Sequence, residues 1–241
     1  MEPVSSIAGN EDFLECEKWM TFVLLIFVGG YLGAFTYTIR GGVFCNAQTA
    51  NFVLSAIALG SGDFYEFIYY FIPMSAYFLG AFISESVPSY VKLHFHVRWD
   101  TLLIFIEMLT VVFLGLLPES APYRITHVTV NLIASMQYNT FRQARHIPMA
   151  TTFCTNHIRQ VGVALYGTLT GSAPARERLL AHGGMLLAFV LGGALSTACC
   201  GPLLGRTIWL AEIPLGIVLL ELLRADLGRE RARREQLPHG Y

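Results

Sequence analysis

Charge is scarce in this chain. Of its 241 residues only 14% are Asp, Glu, Lys or Arg, against roughly 25% in an ordinary soluble domain, while 54% are hydrophobic. With a mean hydropathy of +0.51, the apolar residues exceed what one soluble core of this size can bury, and the excess must face lipid. That composition argues against a soluble enzyme. An excess of either sign is missing too: formal net charge is −1, and acids are interspersed among the arginines near the C-terminus, so no basic patch points to nucleic acid. A disulfide framework is absent. The five cysteines are an odd number, and Cys45, Cys154, Cys199 and Cys200 lie in or beside apolar stretches as small fillers. The start is not basic: Glu2, Glu11, Asp12, Glu15 and Glu17 precede Lys18, the reverse of a cleaved signal peptide, so the first apolar segment is expected to remain as an anchor. Catalytic motifs are lacking as well, with no Gly-x-Ser-x-Gly elbow, P-loop or His-Glu-x-x-His. His94-Phe95-His96 has no nearby cysteine or carboxylate to complete a metal set. The expectation is a protein that is not an enzyme and uses neither cofactor nor metal.

What is present is a series of apolar windows near the roughly 20 residues that a membrane-spanning helix needs. They fall at 19–38, 65–84, 101–117, 125–141, 179–200 and 207–223. Two further pieces, 52–60 and 158–169, are short. At about 1.5 Å per residue each covers roughly half a hydrocarbon core, which suits a re-entrant or broken helix lining a cavity. The expected fold is all-α: a polytopic membrane helix bundle with six long spans and two short helices.

The spacing also carries an internal repeat. Adding 106 to the residue number takes 19–38 onto the 125–141 window, 48–51 onto 154–157, and 101–117 onto 207–223. Three crossings per half would invert the second half, whereas eight crossings in total would leave the halves parallel. The basic residues favour six. With a cytoplasmic N-terminus, Arg40, Arg124 and Arg206 lie outside and the other thirteen of the sixteen Lys and Arg lie inside. Eight crossings, counted without the tail and mid-segment Arg159, would leave four basic residues inside against six outside, opposing the positive-inside rule. Trp19 and Trp99 would then sit at the inner interface and Trp209 at the outer one. The resulting organisation is a cytoplasmic segment 1–18, a first repeat 19–118, a second repeat 119–224, and a cytoplasmic charged tail 225–241. The alternating charges of that tail read as a solvated helix end.

Chemistry concentrates in two polar stretches that lead into the short helices. The first runs Arg40-Gly41-Gly42-Val43-Phe44-Cys45-Asn46-Ala47-Gln48-Thr49-Ala50-Asn51, the second Arg145-His146-Ile147-Pro148-Met149-Ala150-Thr151-Thr152-Phe153-Cys154-Thr155-Asn156-His157. A helix that starts inside a membrane presents unpaired N–H groups and the positive end of its dipole, a setting suited to anions or polar solutes. In inverted-repeat transporters, discontinuous helices of this kind meet near the midplane. The candidate binding residues are therefore Asn46, Gln48, Thr49, Asn51, Thr151, Thr152, Thr155, Asn156 and His157. The competing reading is that these side chains cap two helix ends and tie helices together.

Ionisable residues within spans are costly, which singles out Glu107 as a candidate for proton or cation coupling and Arg159 as an anion holder or a partner for Glu107. Glu212 and Glu221 lie nearer helix ends, where snorkelling to water is expected. Asn131, Gln137 and Asn139 read as interhelical hydrogen-bonding residues, and the Gly29-Gly30-Tyr31-Leu32-Gly33 and Gly192-Gly193 clusters as sites of close helix packing.

The two lead-in stretches, together with Phe78-Leu79-Gly80 and Met136-Gln137, resemble the paired signatures of the YoaK-like family of uncharacterised bacterial integral membrane proteins. The resemblance covers nearly the whole chain. The family pattern has Thr-Gly-Asn in each signature, where this chain has Thr49-Ala50-Asn51 and Thr155-Asn156-His157. The resemblance implies no substrate. The functional expectation is a small secondary transporter or permease for a small polar or anionic solute, in a plasma or bacterial inner membrane, with both termini cytoplasmic. The alternatives are a passive channel of the same architecture and a membrane scaffold that binds partners through its tail. Glycine-rich helix faces are compatible with a homodimer.

Overall fold

The computed structural model describes residues 13–233. Most of the acidic N-terminal segment, including Glu2, Glu11 and Asp12, and the end of the tail, including Arg234, lie outside the described residues. The chain forms α1 (Trp19–Ile39), α2 (Gln48–Gly60), α3 (Phe64–Ser86), α4 (Pro88–His94), α5 (Trp99–Leu116) and α6 (Tyr123–Thr140). A hairpin of two-residue strands, β1 (Gln143–Ala144) and β2 (Ile147–Pro148), leads to α7 (Thr155–Leu169), α8 (Ala173–Leu203), a 3-10 stretch Leu204–Ala211, and α9 (Glu212–Arg224). The all-α expectation holds apart from this small hairpin.

Four helical stretches among the described residues are long and apolar enough to cross a membrane: Trp19–Ile39, Phe64–Ser86, Trp99–Leu116 and Ala173–Arg229. The last contains both the 179–200 and the 207–223 windows, and it is broken between them. Leu204 takes a φ of 49°, and Thr207 Oγ1 reaches back to donate to the Cys199 carbonyl at 3.0 Å. Eight residues along a continuous helix would separate those groups by about 12 Å. The 125–141 window is helical as α6 but is not among the four stretches. Its His127, Asn131, Ser135 and Gln137 lower its hydropathy, and all four are buried against protein rather than exposed to lipid.

Glycines set how closely α1 and α8 approach, the most extensive helix contact in the molecule. A Cβ on Gly30 would stand 2.0 Å from the Phe189 carbonyl oxygen, and one on Gly192 would stand 2.0 Å from that of Phe27. Any side chain at either position would force the two backbones apart. The pair runs in the same direction: Gly30 faces Phe189, Ala34 faces Gly193, and Arg40 at the end of α1 reaches Gly205 just past the end of α8. The second seam, α3 with α6, is also parallel, since the Tyr69 ring meets that of His127 and Ser84 Oγ donates to the Met136 carbonyl.

Two other pairs run in opposite directions. Gln137 Nε2 donates to the Leu25 carbonyl at 3.4 Å and His127 Nε2 binds the Arg40 carbonyl, so α6 is antiparallel to α1. Thr101 Oγ1 donates to Asp226 Oδ2 at 2.7 Å and Trp209 Nε1 to the Val112 carbonyl at 3.2 Å, so α9 is antiparallel to α5. The short helices lie outside these seams, α2 against α3 and α7 against α8.

The tail is not a free solvated end over its described part. Asp226 and Glu230 are buried and pair with Arg98, while Arg229 pairs with Glu15. The sequence pattern missed this because the partners of these charges lie more than 120 residues away.

Candidate functional site

The two lead-ins meet midway along α1. After Arg40, Gly41 and Gly42 adopt φ of +84° and +73°, which releases the chain from the helix and turns it back toward the bundle. Asn46 Nδ2 then donates to the Gly29 carbonyl at 2.8 Å and to the Thr152 carbonyl at 2.7 Å. One amide thus joins α1, the first lead-in and the second. The approach is close because Gly29 has no side chain: a Cβ there would stand 2.5 Å from the Thr151 carbonyl oxygen.

From this junction each lead-in closes in a similar way. In the first, Asn51 Nδ2 donates to the Phe44 carbonyl at 3.0 Å; in the second, His157 Nε2 bonds the Ala150 carbonyl at 2.8 Å. The amide side continues as a ladder: Asn51 donates to Gln48 Oε1 at 3.2 Å, Gln48 donates to Asn131 Oδ1 at 2.5 Å, and Asn131 donates to the His127 carbonyl at 2.7 Å. The other side ends in a histidine pair, with His157 Nδ1 2.9 Å from His182 Nδ1. A carbonyl can only accept, so His157 carries its proton on Nε2, and a neutral His157 accepts from His182 at Nδ1. Both rings are buried.

Of the competing reading, the tying of elements to one another is what the hydrogen bonds show, and the capping is not. Neither α2 nor α7 receives a side-chain cap at its N-terminus, so the polar side chains link elements instead. Some capacity is left over: Asn51 Oδ1, Thr151 Oγ1 and Thr152 Oγ1 are buried and have no hydrogen-bond partner, although the Thr152 hydroxyl faces Tyr77. Buried polar atoms are ordinarily paired, and leaving one unpaired costs about 1–3 kcal/mol. A cavity of about 630 Å³ between α1 and α8 reaches this junction, with Gly33, Ala34, Gly193 and Thr197 on its walls and Asn46 as a polar contact.

Not every candidate joins the cluster. Thr49 and Thr155 are exposed on the outer sides of α2 and α7. Asn156 is half-buried and accepts from Arg159 Nη2 at 3.3 Å, and Arg159 itself is exposed. No ion pair joins Arg159 to Glu107. Glu107 is fully buried on α5, and neither of its carboxyl oxygens has a hydrogen-bond partner. Its acidic neighbour is Glu212 at the start of α9, half-buried, with Oε1 also unpartnered. One oxygen of Glu212 thus lies inside the bundle. Glu221 pairs with exposed Arg224 at 2.6 Å.

His182 and His127 are the members that motif reading overlooked. The available signal was the one applied to Glu107, an ionisable side chain inside or beside an apolar window. As expected, Asn131 and Gln137 bond across elements, while Asn139 donates to Ser135 in its own helix.

Residues 21–220 match the model of a family described as "Protein of unknown function (DUF1275)". No curated protein and no solved structure matches the chain.

Proposed function

The chain belongs to the DUF1275 family, and we propose that it is a small secondary transporter or permease for a small polar or anionic solute, bound where the two lead-ins meet. The observation that carries this reading is Asn46, whose single amide bridges Gly29 and Thr152 beside the unpartnered Thr151 hydroxyl and Asn51 oxygen. Such a junction offers donors and acceptors in apolar surroundings, the setting in which a polar solute is recognised by hydrogen bonds.

We read the architecture as two inverted repeats, 19–118 and 119–224, each with three crossings and one re-entrant helix. Adding 106 turns α1 into α6 and α5 into the 204–224 segment, and both pairs run antiparallel. It also exchanges the two parallel seams, α1 with α8 for α6 with α3. Eight crossings would instead make α1 and α6 parallel. With 13 and 15 residues, α2 and α7 reach only about 20 Å, short of a roughly 30 Å hydrocarbon core. Contact between Glu15 and Arg229 supports placing both termini on one side, which the basic residues make cytoplasmic, in a plasma or bacterial inner membrane. The paired stretches resembling the YoaK-like signatures lie within the matched residues and support that finer family placement. Glu107, buried and without a cation, is the group we assign to coupling. A partner-binding tail is disfavoured by the docking of Asp226 and Glu230 onto Arg98.

The test is flux into liposomes of purified protein, across a panel of small carboxylates, phosphate and neutral amides, with and without a proton gradient. Saturable, gradient-driven uptake that Asn46→Asp and Thr151→Val abolish is the expected result, and Glu107→Gln should lose the response to the gradient. Unsaturable flux would indicate a channel, and the absence of flux for every solute would count against transport. Topology is read separately by impermeant labelling of a single cysteine at exposed Ser89. Protection in intact cells supports six crossings, and labelling supports eight.

A further inference from the structure

We infer that the end of the bundle where α1 and α8 finish holds a second binding site, for one oxyanion group, built on Arg40 with Glu119 as the carboxylate that the ligand displaces. This site lies outside the lead-in junction and does not depend on transport.

Arg40 is 1% exposed, the largest of the fully buried side chains. Its backbone is held at both ends, its N–H by the Thr36 carbonyl and its carbonyl by His127 Nε2, so the guanidinium starts from a set position. Nε and Nη2 have no hydrogen-bond partner. Among the described residues Glu119 is the one carboxylate paired with it, and Nη1 lies 3.8 Å from Glu119 Oε2, beyond hydrogen-bond reach. A buried charge left this poorly matched is expensive, and a planar guanidinium with free N–H groups matches the paired oxygens of carboxylate, phosphate or sulfate.

Room for such a group is built into the backbone. A Cβ on Gly205 would stand 2.5 Å from Arg40 Nη2 and 2.6 Å from Glu119 Oε1, so the missing side chain is what lets cation and carboxylate share that space. Glu119 is the movable member. Its side chain is half exposed, and Oε1 is tethered by one bond from the Gly205 N–H at 2.7 Å. It also lines a cavity of about 590 Å³ that has Arg206 and Trp209 on its walls. A ligand entering by that cavity meets Arg206, displaces Glu119, and takes both Arg40 and the freed Gly205 N–H. The oxyanion can belong to a free solute or to a lipid headgroup.

The experiment uses the full chain in nanodiscs of zwitterionic phosphatidylcholine, titrated with sulfate against chloride at constant ionic strength, with the thermal unfolding midpoint as readout. The wild type should show a saturable rise. Arg40→Gln should abolish it, and Glu119→Gln should bind sulfate about tenfold more tightly, because the competing carboxylate is gone. In nanodiscs containing phosphatidylglycerol, a rise without sulfate and a blunted sulfate response would assign the site to a lipid headgroup; an unchanged response would assign it to a free solute. The proposal is overturned if the wild type shows no saturable response in either lipid, or if both variants respond as the wild type does. Should Arg40→Gln fail to fold, Glu119→Gln decides alone, an unchanged affinity overturning the proposal. Failure here leaves the flux reading intact, and failure of flux leaves this binding intact.

Discussion

Two polar clusters in this molecule are built by opposite rules. At the junction midway along α1, hydrogen bonds run from neutral amides and imidazoles to carbonyls, and no ion pair takes part. At the end where the chain begins and the tail docks, charges do the holding: Arg98 with Asp226 and Glu230, Arg229 and Lys18 with Glu15. The difference follows from solvation. A charge deep in a bundle forfeits its hydration, whereas a neutral amide satisfied on both sides loses little; near a helix end, water and opposite charges offset the cost. The departures from this rule, Glu107 in the span and Arg40 buried without a close partner, are the groups to which we assign function.

The contrast can be broken at either cluster, and the largest effect is expected at the charged one. Arg98→Ala leaves Asp226 and Glu230 buried without their cation and should cost about 3–5 kcal/mol, read as a loss of thermal stability that added salt changes little, because these charges lie out of reach of solvent screening. Gly29→Val comes next, at about 3 kcal/mol, because the new side chain meets the Thr151 backbone; salt should not change this loss. Asn46→Asp replaces a two-way donor by an acceptor facing two carbonyls and should cost about 2–3 kcal/mol, again independently of salt, with Asn46→Ala milder. A sharper view of the charged cluster comes from Glu230, whose carboxyl burial pushes above its ordinary value against the opposing pull of Arg98. A raised acid favours the folded state at low pH and loses that contribution as pH rises through its folded value. Wild-type stability should therefore fall slightly with pH above the ordinary carboxylate range, and Glu230→Gln should remove that slope. The smallest change is expected at exposed Thr49 and Thr155, where alanine should alter stability by under about 0.5 kcal/mol and leave flux unchanged.

Much of the junction was legible from residue type and spacing, and what failed did so for geometric reasons. Gln48 and Asn51 are three apart and share a helix face, so both reach the cluster, whereas Thr49 lies about 100° around the helix and points away. Sequence alone ranked these side chains equally, since polarity carries no phase until the helix start is known. His182 stood out only as an ionisable residue in an apolar window, and its pairing was hidden because its partner is 25 residues distant with no motif between them. The tail misled for a similar reason: charges that look solvated in a row are buried once residues from the other end of the chain fold against them.

The sequence by itself determined that this is an apolar, helical chain suited to a membrane, with two short helices behind polar lead-ins and glycine clusters where helices touch. Composition and local periodicity suffice for that, because each is a property of neighbours along the chain. Only the tertiary structure decided that the lead-ins converge on one amide, that α6 opposes α1, that His157 meets His182, and that Arg40 is buried beside a glycine. Those outcomes depend on contacts between residues far apart in sequence, whose partners are chosen by packing.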